Sequence, residues 1–229
     1  MTKLLHLLTP TVVVETIRDV DPEALKARGI TAIITDLDNT LVPWRHYEIA
    51  DGVTEWLRKL EDAGIKICIA SNTLHMKRLK QLAETMGIPF VDRVRKPAPG
   101  GFLRSMKAMG SNRENTAVFG DQIFTDVLAG NRLGLTTILL RPPLSREEFI
   151  STQCVRYVEN VVIGWLKSRG RWPGALLIAE ALERHQSELA IQSVVPEAKA
   201  SARRSLLLPA AILTAVSIIA VSWWRRRRP

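Results

Sequence analysis

Short apolar runs alternate with segments of helical periodicity between residues 31 and 140 of this 229-residue chain. The apolar runs are residues 31–35, 65–70, 117–120 and 136–140. The helical segments are residues 53–63, 76–86 and 101–109. In the first of these, apolar residues recur at the i, i+3, i+4 and i+7 spacing that a helix buries, and a glycine follows each segment, as is common after a helix. The alternation predicts an α/β fold of the Rossmann-like kind, a parallel sheet flanked by helices.

The pattern changes after Pro142 and Pro143. A helical segment covers residues 147–167, and residues 175–195 have the spacing of an amphipathic helix. Residues 205–224 contain no charged side chain, and as a helix they would extend roughly 30 Å, the thickness of a hydrocarbon core. We predict a membrane-spanning helix there, with a helix buried in an oligomer as the alternative.

The predicted organisation therefore has four parts. A catalytic domain covers residues 1–170, an amphipathic helix and linker residues 171–204, the transmembrane helix residues 205–224, and a basic tail residues 225–229. If the catalytic domain is cytoplasmic, a single span would export the arginines of the tail, against the positive-inside rule. The orientation of the helix is therefore left open, and so is the oligomeric state.

Composition limits the partners and the compartment. The formal net charge of +9 favours an anionic partner, which includes phosphate groups, nucleic acid or an anionic membrane; a merely soluble basic surface is the alternative. Cys68 and Cys154 form no metal-binding pattern, and no signal-peptide cleavage site follows the N-terminal apolar stretch. We predict a cytoplasmic catalytic domain that is attached to a membrane.

Two acids, Asp36 and Asp38, follow the first predicted strand directly. Because strand side chains alternate, residues spaced i and i+2 lie on one side of the chain. The carboxyl ends of the strands are where ligands bind in an open α/β sheet. Taken alone, this D-x-D-x-T pattern is equally typical of a polar turn that caps a helix.

Polar residues follow later strands in the same way. Ser71 and Asn72 follow the run at residues 65–70, Lys96 lies in the loop after a short apolar pair at residues 90–91, and Asp121 and Asp126 follow the run at residues 117–120. Asp36, Asp38, Asp121 and Asp126 would form an oxygen-rich, negatively charged site that suits Mg²⁺. Lys96, Ser71 and the backbone N–H groups after Asp36, which we expect at the start of a helix, would bind phosphate oxygens. An ionised Asp36 beside a bound phosphoryl group is a competent nucleophile.

These motifs resemble those of the haloacid dehalogenase (HAD) superfamily of phosphatases. Its four signatures correspond to DLDNT (36–40), SN (71–72), KP (96–97) and GDQIFTD (120–126). The resemblance implies that Asp36 becomes an aspartyl-phosphate, while Asp38 protonates the leaving oxygen and then activates water. It also implies phosphate binding by Thr40, Ser71, Asn72 and Lys96. Mg²⁺ would be held by the Asp36 carboxylate, the Asp38 carbonyl group, Asp121 and Asp126.

Within that superfamily, residues 4–170 are similar to the YqeG-like phosphatases and the phosphatidylglycerophosphate phosphatases. The gaps between the motifs leave no room for a large cap domain, so the site should be open to bulky substrates. Arg45, His46, Lys77, Arg78 and Arg132 lie near it and could meet a second phosphate or an anionic lipid, or form only a solvated basic rim. We predict dephosphorylation of phosphatidylglycerophosphate, a phospholipid, to phosphatidylglycerol.

Two alternatives remain open at this stage. The first is a phosphatase for soluble or polynucleotide phosphate esters, although no interleaved aromatic and basic pattern for nucleic acid lies near the site. The second is a membrane-tethered scaffold without activity, which loss of Asp36 or Asp38 would mark. Both acids are present.

Overall fold

A computed structural model describes residues 2–145 and 150–173 of the chain. In this part of the chain, six strands form one parallel sheet with the order β1-β6-β5-β2-β3-β4. The strands are β1 (Val12–Val14), β2 (Ala32–Thr35), β3 (Lys66–Ala70), β4 (Phe90–Val91), β5 (Thr116–Gly120) and β6 (Thr136–Leu140). The predicted α/β class and parallel sheet are confirmed.

Helices cover both faces of the sheet. They are α1 (Thr2–Leu8), α2 (Pro22–Ala27), α3 (Val53–Asp62), α4 (Met76–Met86), α5 (Gly100–Met109), α6 (Leu128–Leu133) and α7 (Ile150–Ser168). A 3₁₀ turn spans Ile17–Asp19, and a short π-helix spans Ile123–Val127. Successive residues of β2 enter opposite cores, with Ile33 on one side and Ile34 on the other, and both are fully buried. Burial on both faces explains why the central strands are continuous apolar runs.

Residues 2–14 form helix α1 and strand β1, two elements that the hydrophobic periodicity did not predict. The three residues of β1 are buried and pair with β6, where Val12 lies opposite Ile138 and Val14 opposite Leu140. A run this short has no periodicity of its own, so only its pairing partner defines it as a strand.

All strands point the same way, so their carboxyl ends share one edge of the sheet, called here the carboxyl edge. The connections that leave this edge are short: residues 36–52 lead to α3, residues 71–75 to α4 and residues 92–99 to α5. No cap domain is inserted in these three connections, all of which the structure describes.

No helix within residues 2–145 and 150–173 is both long and apolar enough to cross a bilayer. The span predicted at residues 205–224, the basic tail and nearly all of the predicted linker lie outside the described residues.

Candidate active site

Asp36 continues the ladder of β2 by one residue, since its N–H donates to the carbonyl group of Phe119 on β5 at 2.9 Å. The chain then turns sharply. The carbonyl group of Leu37 accepts hydrogen bonds from the N–H groups of Leu41 and Val42, and Asn39 adopts a left-handed conformation with φ 62°. The expectation of a helix start after Asp36 is wrong. The buried Leu41 and Val42 draw the chain back to the core, and α3 begins only at Val53.

Three carboxylates converge at the carboxyl edge. Asp36, Asp121 and Asp126 are all buried, and each offers an oxygen within 4.8 Å of the others. Buried carboxylates at this separation repel one another unless a cation lies between them, and an all-oxygen set suits a hard divalent cation. These three residues fit a Mg²⁺ site.

Burial raises the pKa of Asp121 to about 8, and the charges of Asp36 and Asp126 add to the effect, against the opposing influence of Arg156. Burial likewise raises the pKa of Asp126, opposed mainly by Lys96. Both shifts describe the site without a cation, whose charge would lower the pKa of its ligands.

Lys96 lies between two of these carboxylates. Its Nζ is 2.8 Å from Oδ1 of Asp36 and 2.7 Å from Oδ1 of Asp126, and the side chain is buried. Burial alone would lower the pKa of Lys96, but the two carboxylates raise it overall, so the ammonium group stays charged. Its charge neutralises part of the triad and is available to a bound phosphoryl group.

Asn72 holds the backbone of Lys96. The N–H of Lys96 donates to Oδ1 of Asn72 at 2.8 Å, and Nδ2 of Asn72 donates to the carbonyl group of Lys96 at 3.0 Å. This reciprocal pair joins the loops after β3 and β4. In the structure, the amide of Asn72 therefore supports Lys96 rather than facing the triad.

Ser71 and Thr40 are both buried at the carboxyl edge. Oγ of Ser71 accepts a hydrogen bond from the N–H of Thr73 at 3.3 Å, which leaves the hydroxyl proton for another acceptor. The Thr40 hydroxyl is 3.5 Å from Oδ1 of Asp121. The Thr40 hydroxyl thus lies beside the triad, and Ser71 follows β3, the strand next to β2, at the same edge of the sheet.

The carboxylate of Asp38 is not part of the triad and pairs with Arg78. Nη1 of Arg78 lies 2.7 Å from Oδ1 of Asp38, while Nε and Nη2 donate to the carbonyl group of His46 at 2.9 and 2.7 Å. Arg78 is 7% exposed, so it is not part of a solvated rim. Burial and the charge of Asp36 raise the pKa of Asp38, and Arg78 opposes them. A raised pKa suits a carboxyl group that must deliver a proton.

Gly120 allows Asp126 to approach the sheet. A Cβ atom at Gly120 would overlap the carboxylate and the Cβ of Asp126. The same carboxylate accepts hydrogen bonds from the N–H of Gln122 and the hydroxyl of Thr125, both at 3.2 Å. The glycine of the GD pair is therefore required for close packing, which its φ angle alone would not indicate.

Helix α7 supplies residues that sequence analysis missed. Arg156 donates to the carbonyl group and to Oδ2 of Asp121. Glu159 is fully buried, and its Oε1 accepts hydrogen bonds from the N–H groups of Ile123 and Phe124 at 2.6 and 3.2 Å. Arg156 and Glu159 thus fix the backbone between Asp121 and Asp126. Their i, i+3 spacing on a helix is also that of an ordinary surface ion pair, so no local pattern marks them as functional.

Comparison with known proteins identifies the family of this chain. The family model of haloacid dehalogenase-like hydrolases matches residues 4–134. The probable phosphatase YqeG of Bacillus subtilis is 42% identical over 157 residues, which cover 69% of this chain and 90% of that protein. The chain therefore belongs to the haloacid dehalogenase-like hydrolase family. Within it, the predicted enzyme class, a phosphoric monoester hydrolase, is confirmed.

Two other proteins are similar to this chain over a smaller share of their own length. Phosphatidylglycerophosphate phosphatase 1, chloroplastic/mitochondrial, of Arabidopsis thaliana is 30% identical over 168 residues, which are 69% of this chain and 48% of that protein. The chain thus spans about half the length of this plant relative. The crystal structure of a HAD phosphatase from Thermococcus onnurineus aligns with a TM-score of 0.39 and 22% identity, over 44% of this chain and 51% of that one.

Proposed function

We propose that this protein is a Mg²⁺-dependent phosphatase that converts phosphatidylglycerophosphate to phosphatidylglycerol through an aspartyl-phosphate on Asp36. The observation that carries the reaction type is Lys96, which stands between Asp36 and Asp126 at hydrogen-bond distance from both. This arrangement places a positive charge beside the nucleophile, where the transferred phosphoryl group must lie.

In the first half of the reaction, a carboxylate oxygen of Asp36 attacks phosphorus, and the bond from phosphorus to the ester oxygen breaks. Asp38 donates its proton to that oxygen, so the alcohol leaves neutral. Lys96, Ser71 and Thr40 hold the phosphoryl oxygens. In the second half, Asp38 removes a proton from water, which attacks phosphorus, and inorganic phosphate and free Asp36 result.

Asp36, Asp121, Asp126 and the backbone carbonyl group of Asp38 would hold the Mg²⁺ ion. When bound, it would offset the negative charge of the phosphoryl group and of the carboxylates. Asp121 is held for this task by Arg156, and Asp126 by Lys96 and by the backbone of residue 122.

Two observations support the lipid substrate. The carboxyl edge is open, and the chain is similar to a plant protein named phosphatidylglycerophosphate phosphatase 1. Phosphate release should be measured from phosphatidylglycerophosphate in mixed micelles, with full-length protein, and compared with release from soluble phosphomonoesters. We expect turnover of the lipid, and we expect its complete loss in Asp36→Asn. Asp62→Asn, at an exposed position on α3, is the matched control.

The aspartyl-phosphate can be tested separately. In Asp38→Asn, water is no longer activated, so a phosphoryl adduct on Asp36 should accumulate with an activated aryl phosphate and be visible by intact mass spectrometry. Good turnover of soluble esters without turnover of the lipid would reject the lipid substrate and leave the reaction type intact. Absence of the adduct in this variant would count against covalent catalysis.

A further inference from the structure

Exposed apolar side chains are concentrated in the segments that leave the carboxyl edge of the sheet. In the described part of the chain, seven large hydrophobic side chains are exposed: Tyr47, Leu74, Met76, Leu103, Leu144, Tyr157 and Val161. The first five lie in connections that leave the carboxyl edge or in the first turns of the helices that follow, and none of the seven lies in a loop at the amino ends of the strands. Single exposed apolar residues are ordinary, but a concentration beside a site marks an interaction surface.

Three of these residues belong to two adjoining segments, residues 71–77 and 92–104, which follow the neighbouring strands β3 and β4. We call these two segments the docking surface. Leu74 is 79% exposed, and Met76 and Leu103 are 40% and 44% exposed. The same segments carry Ser71 and Lys96 of the active site, so a partner on this surface would cover the entrance to Asp36.

The charge of the docking surface is strongly positive. Its exposed charged side chains are four cations and one acid: Lys77, Arg93, Arg95, Arg104 and Asp92. Arg104 donates to the carbonyl groups of residues 92 and 93 at 2.7 and 3.1 Å, which fixes α5 against the loop after β4. Asp92 and the three arginines line a cavity of about 380 Å³. A phosphate-sized anion would fit such an arginine-lined space.

We propose that the docking surface binds an anionic lipid bilayer, with Leu74 and Met76 entering the boundary between head groups and acyl chains. Exposed apolar tips surrounded by cations are the combination that interfacial membrane binding requires. Tyr47, whose ring lies 5.8 Å from the Arg78 guanidinium, would lie at the rim of the contact. The proposal rests on the lipid substrate proposed above, and it explains how an uncapped site would meet a phosphate that does not leave the membrane.

The test uses the full-length chain with a fluorophore sensitive to its environment. Cys68 is buried and Cys154 exposed, so Cys154→Ser removes the reactive background. One protein carries the label through Leu74→Cys. The control carries it through Arg113→Cys, an exposed position before the amino end of β5. Both are mixed with vesicles of phosphatidylcholine alone and of phosphatidylcholine with phosphatidylglycerol.

We expect the label at position 74 to move to higher intensity and shorter wavelength with the anionic vesicles, while the label at position 113 stays unchanged. Each cation that faces an anionic leaflet contributes about 1 kcal/mol, or about fivefold in affinity. Lys77→Gln should therefore raise the vesicle concentration for half the response about fivefold, and Arg113→Gln should leave it unchanged.

Equal responses at both positions, or no response at position 74, would overturn the proposal. A response that depends on protein concentration without lipid would overturn it too, in favour of contact between two copies of the chain. The vesicles contain no phosphomonoester, so this experiment can fail while the phosphatase activity stands. In the reverse case, vesicle binding without turnover of the lipid would reject only the substrate.

Discussion

Arg78 and Asp38 form an ion pair at the side of the active site, with Nη1 of the arginine 2.7 Å from Oδ1 of the acid. The same guanidinium binds the carbonyl group of His46, so it fixes the proposed proton donor relative to both α4 and the turn at residues 43–47. Arg78 makes no contact with the triad of Asp36, Asp121 and Asp126 among the hydrogen bonds of the described residues. It acts through Asp38 and is a positioning residue.

The first prediction follows from this pair. In Arg78→Gln the carboxyl group of Asp38 loses its partner, so proton donation should suffer most when the leaving group is a poor one. We expect kcat for an alkyl phosphate to fall about 100-fold, and kcat for p-nitrophenyl phosphate, whose leaving group needs no proton, to fall far less. Lys80→Gln, at an exposed position on the same helix, is the control. Equal losses for both esters would show that Arg78 serves folding alone.

The second prediction concerns pH and stability. Without a cation, burial raises the pKa of Asp121 from 3.8 to about 8. Between those values the folded protein holds a proton that the unfolded chain has released, so the free energy of unfolding should fall as the pH rises. Urea unfolding in EDTA at pH 5 and pH 8 should show this decline. Asp121→Asn should reduce it, and Mg²⁺ should reduce it in the wild type because a bound cation lowers the pKa of its ligands. A wild-type stability that rises over this range would contradict the assignment.

Glu159 provides the third prediction. Glu159→Ala leaves the N–H groups of Ile123 and Phe124 buried without an acceptor and removes one of the two carboxylates that pair with Arg156, so we expect a loss of about 3 kcal/mol in the free energy of unfolding. Because Arg156 also holds Asp121, we expect Mg²⁺ affinity to fall about tenfold, measured by the dependence of Tm on Mg²⁺ concentration. Glu159→Gln keeps one acceptor oxygen and should lose less, and Lys167→Ala should match the wild type. An unchanged Tm response to Mg²⁺ in Glu159→Ala would restrict this residue to folding.

The fourth prediction tests the close approach at Gly120. In Gly120→Ala the new methyl group would displace the carboxylate of Asp126, and a displacement on the order of 1 Å in a catalytic site costs about 100-fold in activity. Gly164→Ala, where a Cβ meets no atom within 4 Å, should retain full activity. Phosphate release from p-nitrophenyl phosphate at saturating Mg²⁺ compares the two. An active Gly120→Ala would mean that the loop of Asp126 shifts without consequence.

Much of the fold was readable in the sequence because the central strands are buried on both faces. A strand such as β2 is buried on both faces, so nearly all of its residues are apolar, and that leaves a short continuous run in the sequence. Its one polar residue, Thr35, donates its hydroxyl proton to the carbonyl group of Asp36. The position of the site followed from the same pattern. Acids that come directly after buried parallel strands must meet at one edge of the sheet, whatever their separation along the chain.

Local sequence patterns could not predict which side chains and turns surround those acids. Arg78 belongs to a helix rich in basic residues, and only the turn at residues 43–47 that folds over it makes it buried. The chain after Asp36 has residues that a helix would accept, yet Leu41 and Val42 are drawn into the core and produce a turn. In both cases the deciding contact comes from packing, which periodicity does not report.

The sequence by itself determined the parallel sheet, the carboxyl edge as the place of chemistry, and three of the four predicted acids, with Lys96, that meet there. Those features depend on strand alternation and direction, which are local properties of the chain. Only the tertiary structure decided that Arg156 and Glu159, 35 and 36 residues from their partners, hold the loop between Asp121 and Asp126. The physical reason is that a buried carboxylate and a buried N–H group must each find a partner, and any part of the folded chain can supply it.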